Sequence, residues 1–306
     1  MRVFVTGASG FVGRNVVREL TRRNHEVVTL VHRKPVESAG VQSVSGGLFD
    51  NDQGLADGMR GCDAVVHIVG IIMEKPSAGV TFERMHVEGT RNVLAAATAA
   101  GVRRYVHMSA LGSRADAVSR YHQTKWAAEE AVRASGLEWT IFRPSLIHGP
   151  DGEFMLQAAA WAKGKAAPWL FMPYFGAGLF GAGGAGLLQP VFIDDVARAF
   201  VDALDKRETA GQAYDLAGPD RLTWPELHRA VSTAVRGRAK RAIPIPAWYA
   251  RAVAAVTPGS LLPFNRDQVI MSQEDNTADI TPFVNAFGFT PAKFAPTLEA
   301  YKMKLA

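Results

Sequence analysis

The stretch Thr6–Gly13, "TGASGFVG", sets three glycines between an apolar run, "RVFV", and an amphipathic one, "FVGRNVVREL". Val12, Val16, Val17 and Leu20 share one helical face, so the segment reads as strand, tight turn and helix. In that setting each glycine has a physical task. Gly7 permits the turn, Gly10 lets the backbone approach a pyrophosphate, and Gly13 lets the helix pack close to the strand. The helix N-terminus offers unpaired amides and a positive dipole end to an anion. Gly7, Ser9, Gly10, Phe11, Val12 and Gly13 are therefore candidate contacts for a dinucleotide.

The same alternation continues. "HEVVTLVHR", "CDAVVHIVG", "RRYVHMSA" and "EWTIFRPS" are apolar runs separated by helical patterns. Strands of this kind form a parallel sheet covered on both faces. The expected class is α/β, a Rossmann-type doubly wound parallel sheet with a smaller C-terminal lobe over its carboxyl edge. The expected division is a dinucleotide-binding domain over 1–150, its sheet completed by about 189–217, and a substrate or partner lobe from 151–188 and 218–306. Within the second half, Asp194 and Asp195 mark a helix start. Thr223 and Glu226 have capping-box spacing, with Pro225 in the first turn.

Lys plus Arg number 34 against 29 Asp plus Glu, a net charge of +5. No basic run tracks a phosphate backbone, so nucleic acid is not an expected partner. The mild excess suits an anionic cofactor or an anionic membrane surface. The single cysteine, Cys62, excludes an intrachain disulfide and is expected to be a buried thiol. No His/Asp/Glu spacing resembles a metal site. The opening "MRVFVTGASG" lacks the apolar core and cleavage site of a signal peptide. Cytoplasmic residence is expected, with peripheral association at the inner membrane left open. The segment 166–193 carries no charge and is long enough to span a bilayer. Its glycines, with Pro168, Pro173 and Pro190, break a continuous helix. An apolar, glycine-rich loop region with short strands is expected, over a pocket or facing a partner.

The second strand ends in "TLVHRKP". No acid is there to bind a ribose 2′-hydroxyl, whereas Arg33 and Lys34 suit a 2′-phosphate. NADP(H) is favoured as cofactor, with NAD(H) the alternative. Tyr121 and Lys125 lie four apart on a helix and share a face. A free phenol titrates near ~10, and a neighbouring ammonium lowers that value. Such a phenol can exchange a proton with a carbonyl or alcohol while a hydride moves. Lys125 is also expected to bond the nicotinamide ribose. Ser109, at the end of the preceding strand, is the provisional polarising hydroxyl, and Ser113 is a second candidate. His67 reads as a core histidine, His86 and His122 lie near the presumed site, and Arg143 reads as structural support.

"TGASGFVG", "GGLFD", "VVHIVG", "HVEGTRNVL", "YHQTK", "RPSLIHGP" and "QPVFIDDVA" together resemble the extended and atypical short-chain dehydrogenase/reductase families. The resemblance runs over most of the chain and is strongest up to about residue 220. It implies that Asp50 or its neighbour Leu48 lies near the adenine, that Val69 and Gly70 line the cofactor, and that Pro144 and Ser145 lie near the nicotinamide. Three positions depart from the family pattern. Gly47 stands where an aspartate is common, His86 where an asparagine is common, and Leu111 where many members carry the catalytic hydroxyl. "SALGS", "YHQTK" and "GLEWTIFRPSLIHGP" look most like the subgroup holding the nucleotide-binding accessory subunit of respiratory complex I and its bacterial relatives.

The expected function is an oxidoreductase acting on a small carbonyl or quinone-like substrate. The alternatives are a non-catalytic, NADPH-holding accessory or assembly protein of a membrane-bound respiratory complex or of quinone biosynthesis, and a sugar-nucleotide epimerase or dehydratase. A redox-sensing regulator ranks last, because the Tyr/Lys pair is retained.

Overall fold

The computed structural model describes residues 1–31, 40–49, 52–257, 262 and 264–305. Its strands are β1 (Arg2–Thr6), β2 (Glu26–Val31), β3 (Val41–Ser45), β4 (Ala64–His67), β5 (Arg104–Met108), β6 (Glu138–Pro144), β7 (Ile147–His148), β8 (Met172–Gly176), β9 (Val191–Phe192), β10 (Gln212–Leu216) and β11 (Ala242–Pro246). Its α-helices are α1 (Phe11–Arg22), α2 (Asp52–Met59), α3 (Gly89–Ala99), α4 (Arg120–Arg133), α5 (Glu153–Lys163), α6 (Ile193–Asp205), α7 (Trp224–Arg236), α8 (Ala247–Val256), α9 (Arg266–Met271), α10 (Thr281–Phe287) and α11 (Phe294–Leu305). The chain forms two compact units, Met1–Pro144 with Ile193–Leu216 and Thr281–Phe289, and Ser145–Phe192 with Ala217–Ile280 and Thr290–Ala306.

The first unit carries a seven-stranded sheet in the order β3-β2-β1-β4-β5-β6-β10. Every pairing is parallel, with Val5 opposite both Thr29 and Val66, and His67 opposite His107. The expected doubly wound α/β class is met. The order reverses at β1, so right-handed crossovers send α1 and α3 to opposite faces. On one side α1 packs on α6, where Arg23 pairs with Asp202 at 2.5 Å. On the other, Leu55 of α2, Val93 of α3 and Val132 of α4 share a core with Phe4, Val65, Tyr105 and Ile141 of the sheet. The central strands are buried on both faces, which is why they read as unbroken apolar runs rather than alternating ones.

The second unit builds its core from α5, α7 and α11, through Met155, Ala158, Leu227, Val231, Leu298 and Tyr301. Helix α7 opens on the expected capping box, Thr223 with Glu226. The uncharged 166–193 segment forms loops and two short strands: β8 pairs with β11, and β9 with β7. Of 189–217, only β10 joins the main sheet. Among the described residues no helix is long and apolar enough to cross a membrane. Cys62 is a buried free thiol, as expected, and burial pushes it up from its ordinary range.

Candidate nucleotide-binding and proton-transfer site

Of the expected cofactor residues, those within 7–13, Leu48, Val69 and Gly70 follow the carboxyl ends of β1, β3 and β4, where open α/β sheets bind ligands. The turn after β1 closes with a bond from Gly10 N–H to Gly7 O at 3.0 Å. Gly7 has φ +75°, a conformation that suits glycine. At Gly13 a Cβ would fall 2.1 Å from the Gly7 carbonyl oxygen, so α1 can meet this turn only through glycine. Helix α1 starts without a side-chain cap and without an acid in its first turn. Its first amides are therefore left for an anion. Ser9 and Gly10 are exposed, Phe11 is half-buried and Val12 is buried. Leu48 is buried, and its carbonyl accepts from Asn92 at 2.9 Å. Val69 lies beside Gly7, where a Cβ would sit 3.0 Å from the Val69 nitrogen. This cradle fits a pyrophosphate-bearing dinucleotide. Arg33, Lys34 and Asp50 lie outside the described residues.

Helix α4 carries the proton-transfer pair. Ser119 caps it, its hydroxyl accepting from His122 N–H. Tyr121, Lys125 and Glu129 follow at successive turns and share a face. Lys125 is buried, and its ammonium donates to the Met108 carbonyl at 3.1 Å. A Cβ on Gly70 would lie 2.8 Å from that ammonium, so the glycine makes room for it. Burial lowers Lys125 to about 8, against the opposing pull of Glu129.

Tyr121 is half-buried between Phe82 and His86, edge-on to both at 5.8 and 5.4 Å between ring centres. Burial pushes its phenol up to about 12. The sequence expectation ran the other way, from the ammonium four residues on. Here loss of water around the ring raises the phenol instead.

His86 sits on the π-helical run Glu83–Glu88 that leads into α3. Its Nδ1 meets Thr124 Oγ1 at 2.9 Å, and its Nε2 lies 3.2 Å from the Ile71 nitrogen and 3.1 Å from the Ile71 carbonyl oxygen. Burial, then the charge of Lys125, lowers it to about 2, so it is a neutral ring. It positions the Thr124 turn of α4 rather than supplying a proton. His67 is a core residue, bonded to Thr6 and Thr90 at 2.6 and 3.1 Å.

Ser109 does not face open space. It is buried, and its hydroxyl donates to Glu129 at 2.5 Å. Glu129 is fully buried and also accepts two bonds from Arg143, at 2.8 and 2.7 Å, and one from Arg133 at 2.6 Å. The proton expected to polarise a substrate carbonyl is thus committed to a carboxylate. Ser113 donates to the Ala110 carbonyl at 2.7 Å and is committed too. At the usual hydroxyl position Leu111 is buried, its N–H bonded to the Pro144 carbonyl at 2.9 Å. Pro144 ends β6 and is buried. Ser145, in the second unit, donates to the Gln189 carbonyl at 2.6 Å. Arg143 is structural, as expected. Glu129 is the residue the sequence reading missed, and the signal was its place one turn beyond Lys125.

A family model described as "NAD(P)H-binding" matches residues 7–160. The chain is 30% identical over 262 residues to subunit 9 of the NADH dehydrogenase [ubiquinone] 1 alpha subcomplex of Arabidopsis thaliana, covering 82% of this chain and 62% of that protein. It is 36% identical over 152 residues to the ceramide reductase of Caulobacter vibrioides, covering 48% of this chain and 47% of that protein. The matched region thus spans less than two thirds of either relative. Among solved structures, MoeE5 in complex with UDP-glucuronic acid and NAD shares the fold, with a TM-score of 0.76 at 19% identity over 100% of this chain and 98% of that one.

Proposed function

We propose a function from the premise that this chain belongs to the NAD(P)H-binding family whose model it matches, within the epimerase/dehydratase-like short-chain dehydrogenase/reductase superfamily: it is an NADPH-dependent reductase of a lipid-soluble carbonyl or quinone-like substrate. The observation that carries this reading is the pair on α4, a phenol set edge-on to Phe82 and His86 and an ammonium lodged against Gly70. Tyr121 holds the proton a reduced carbonyl oxygen needs. Lys125 keeps its charge below about pH 8 and stands one turn beyond that phenol on the same helix. Gly7, Gly10, Gly13 and the α1 amides take the pyrophosphate. A nicotinamide bound there would supply the hydride.

Arg33 and Lys34 support the 2′-phosphorylated cofactor. The substrate class is supported by the names of two relatives, one carrying ubiquinone and one ceramide, both lipid-soluble molecules. A second reading is an accessory protein that holds NADPH without turning it over, and one observation favours it. Leu111 replaces the usual hydroxyl, and Ser109 spends its own on Glu129.

The test adds NADPH to the purified chain and follows its oxidation with a panel of quinones and lipid-soluble carbonyls. The reductase reading expects oxidation that needs an acceptor and falls roughly a hundredfold or more in Tyr121→Phe. Retained NADPH that no acceptor oxidises overturns it and leaves the accessory reading.

A further inference from the structure

We infer that a basic groove in the second unit docks on the headgroup layer of an anionic phospholipid membrane, with Trp169 and Leu170 entering the interface. The groove has a volume of about 380 Å³ and is lined by Lys163, Arg236, Arg238 and Arg241 as well as by those two apolar side chains. No acid lines it. Lys163 and Arg236 stand in the last turns of α5 and α7, where a cation complements the helix dipole. Arg238 and Arg241 have no such explanation. They lie beyond α7, both exposed, and neither makes an ion pair among the described residues.

The apolar side chains are presented by a fixed loop. Lys240 donates its ammonium protons to the carbonyls of Trp161 and Trp169, at 2.6 and 2.5 Å. The Trp161 indole N–H donates to the Ala167 carbonyl at 2.9 Å. Held at these points, the loop leaves Trp169 64% and Leu170 88% exposed. A rigid loop loses little entropy on docking, and leaving two large apolar side chains in water has no benefit to folding.

Charge complementarity calls for an anionic surface, and the side chains decide which. An indole suits the headgroup boundary of a bilayer, and basic residues beside it are drawn to anionic lipids. A tryptophan can also stack on nucleic-acid bases. Leu170, the more exposed of the two, has no π-face to stack and needs hydrocarbon. A bilayer satisfies both residues and the arginines together. The groove shares no residue with the Tyr121–Lys125 site, so docking and the proposed reaction can fail independently.

The test is vesicle flotation of the whole chain, with phosphatidylcholine alone and with phosphatidylcholine mixed with phosphatidylglycerol. Binding is expected only to the mixed vesicles and is expected to weaken as salt is raised. Arg238→Glu combined with Arg241→Glu should lower the partition coefficient roughly tenfold or more. Trp169→Ala combined with Leu170→Ser should weaken binding while leaving its salt dependence. Circular dichroism and NADPH binding identify any variant that has lost its fold, and Arg238→Gln with Arg241→Gln repeats the charge test more gently. No flotation with mixed vesicles, equal flotation with both, or variants that float like the parent would each overturn the inference. So would arginine-dependent binding to single-stranded RNA without vesicle binding, which would assign the groove to nucleic acid.

Discussion

Arg143 grips Glu129 with two parallel bonds, Nε to Oε1 at 2.8 Å and Nη2 to Oε2 at 2.7 Å. The pair joins the end of β6 to α4, and Ser109 adds the end of β5 through the same carboxylate. Glu129 is one turn from Lys125 and two from Tyr121. The proton-transfer pair therefore stands on a helix pinned to both neighbouring strand ends. A fully buried carboxylate is tolerable here because four donors surround it.

Removing the acid should cost stability. Glu129→Ala leaves the Arg143 guanidinium only the more distant Asp215, at 3.8 Å, and the Ser109 hydroxyl only Ser113, at 3.2 Å. The unfolding free energy is expected to fall by about 3 kcal/mol, read from urea or guanidinium midpoints. A change within about 0.5 kcal/mol, the range of ordinary surface substitutions, would show that the cluster carries no structural weight.

Ser109→Ala separates structure from catalysis. Loss of one donor to a buried carboxylate should lower stability by about 1–3 kcal/mol. Acceptor-dependent NADPH oxidation should remain within a few-fold of the parent, because the hydroxyl already serves Glu129. A hundredfold drop in kcat with little change in stability would return Ser109 to the reaction.

Lys125 sets a pH limit. Burial lowers its ammonium to about 8, so it is charged below that pH and neutral above it. If the charge assists Tyr121, kcat/KM falls as pH rises through about 8, long before Tyr121 itself ionises near 12. Lys125→Arg should remove that limb from the profile, since guanidinium stays charged. Gly70→Ala should disturb the same limb, because its Cβ would fall 2.8 Å from the ammonium.

The chain should be acid-labile. Burial holds His67 and His148 at about 3, His86 at about 2 and His228 at about 4, with His107 well below its ordinary value. Unfolded, each takes up a proton near 6.5. Between that value and the lower folded ones, the unfolded state binds more protons, so stability rises with pH across the window. It is fully present above about 6.5 and is lost as pH falls toward 4, by on the order of 3 kcal/mol for His228 alone. Among the described residues, neither ring nitrogen of His107 has a hydrogen-bond partner. His107→Phe is therefore expected to be nearly neutral at pH 7 and to flatten the acid slope, as read from urea midpoints taken at several pH values.

Local patterns carried most of the fold. The β1–turn–α1 unit, the Thr223–Glu226 box and the Asp194–Asp195 helix start were readable because each is decided within a few residues. The strands of the parallel sheet were readable because burial on both faces leaves unbroken apolar runs. The candidate site was readable as residue types but not as proton positions. Whether Ser109 faces a substrate or a carboxylate depends on Glu129, twenty residues away, and on Arg143 from another strand. The rise of the Tyr121 pKa depends on Phe82 and His86 packing against it from a different segment. Pairing of β8 with β11 across some seventy residues leaves no local trace either.

The ladder between β5 and β6 runs past the end of β5, through Ser109 N–H to the Phe142 carbonyl and Leu111 N–H to the Pro144 carbonyl, both acceptors within β6. The main chain at Leu111 is thus fixed by its neighbour strand, whatever side chain it bears. That makes the position a socket. Exchanging leucine for serine or threonine would change what the site can do without moving the backbone that surrounds it. On such a frame, a catalyst and a mere holder of nucleotide can stand a single codon apart.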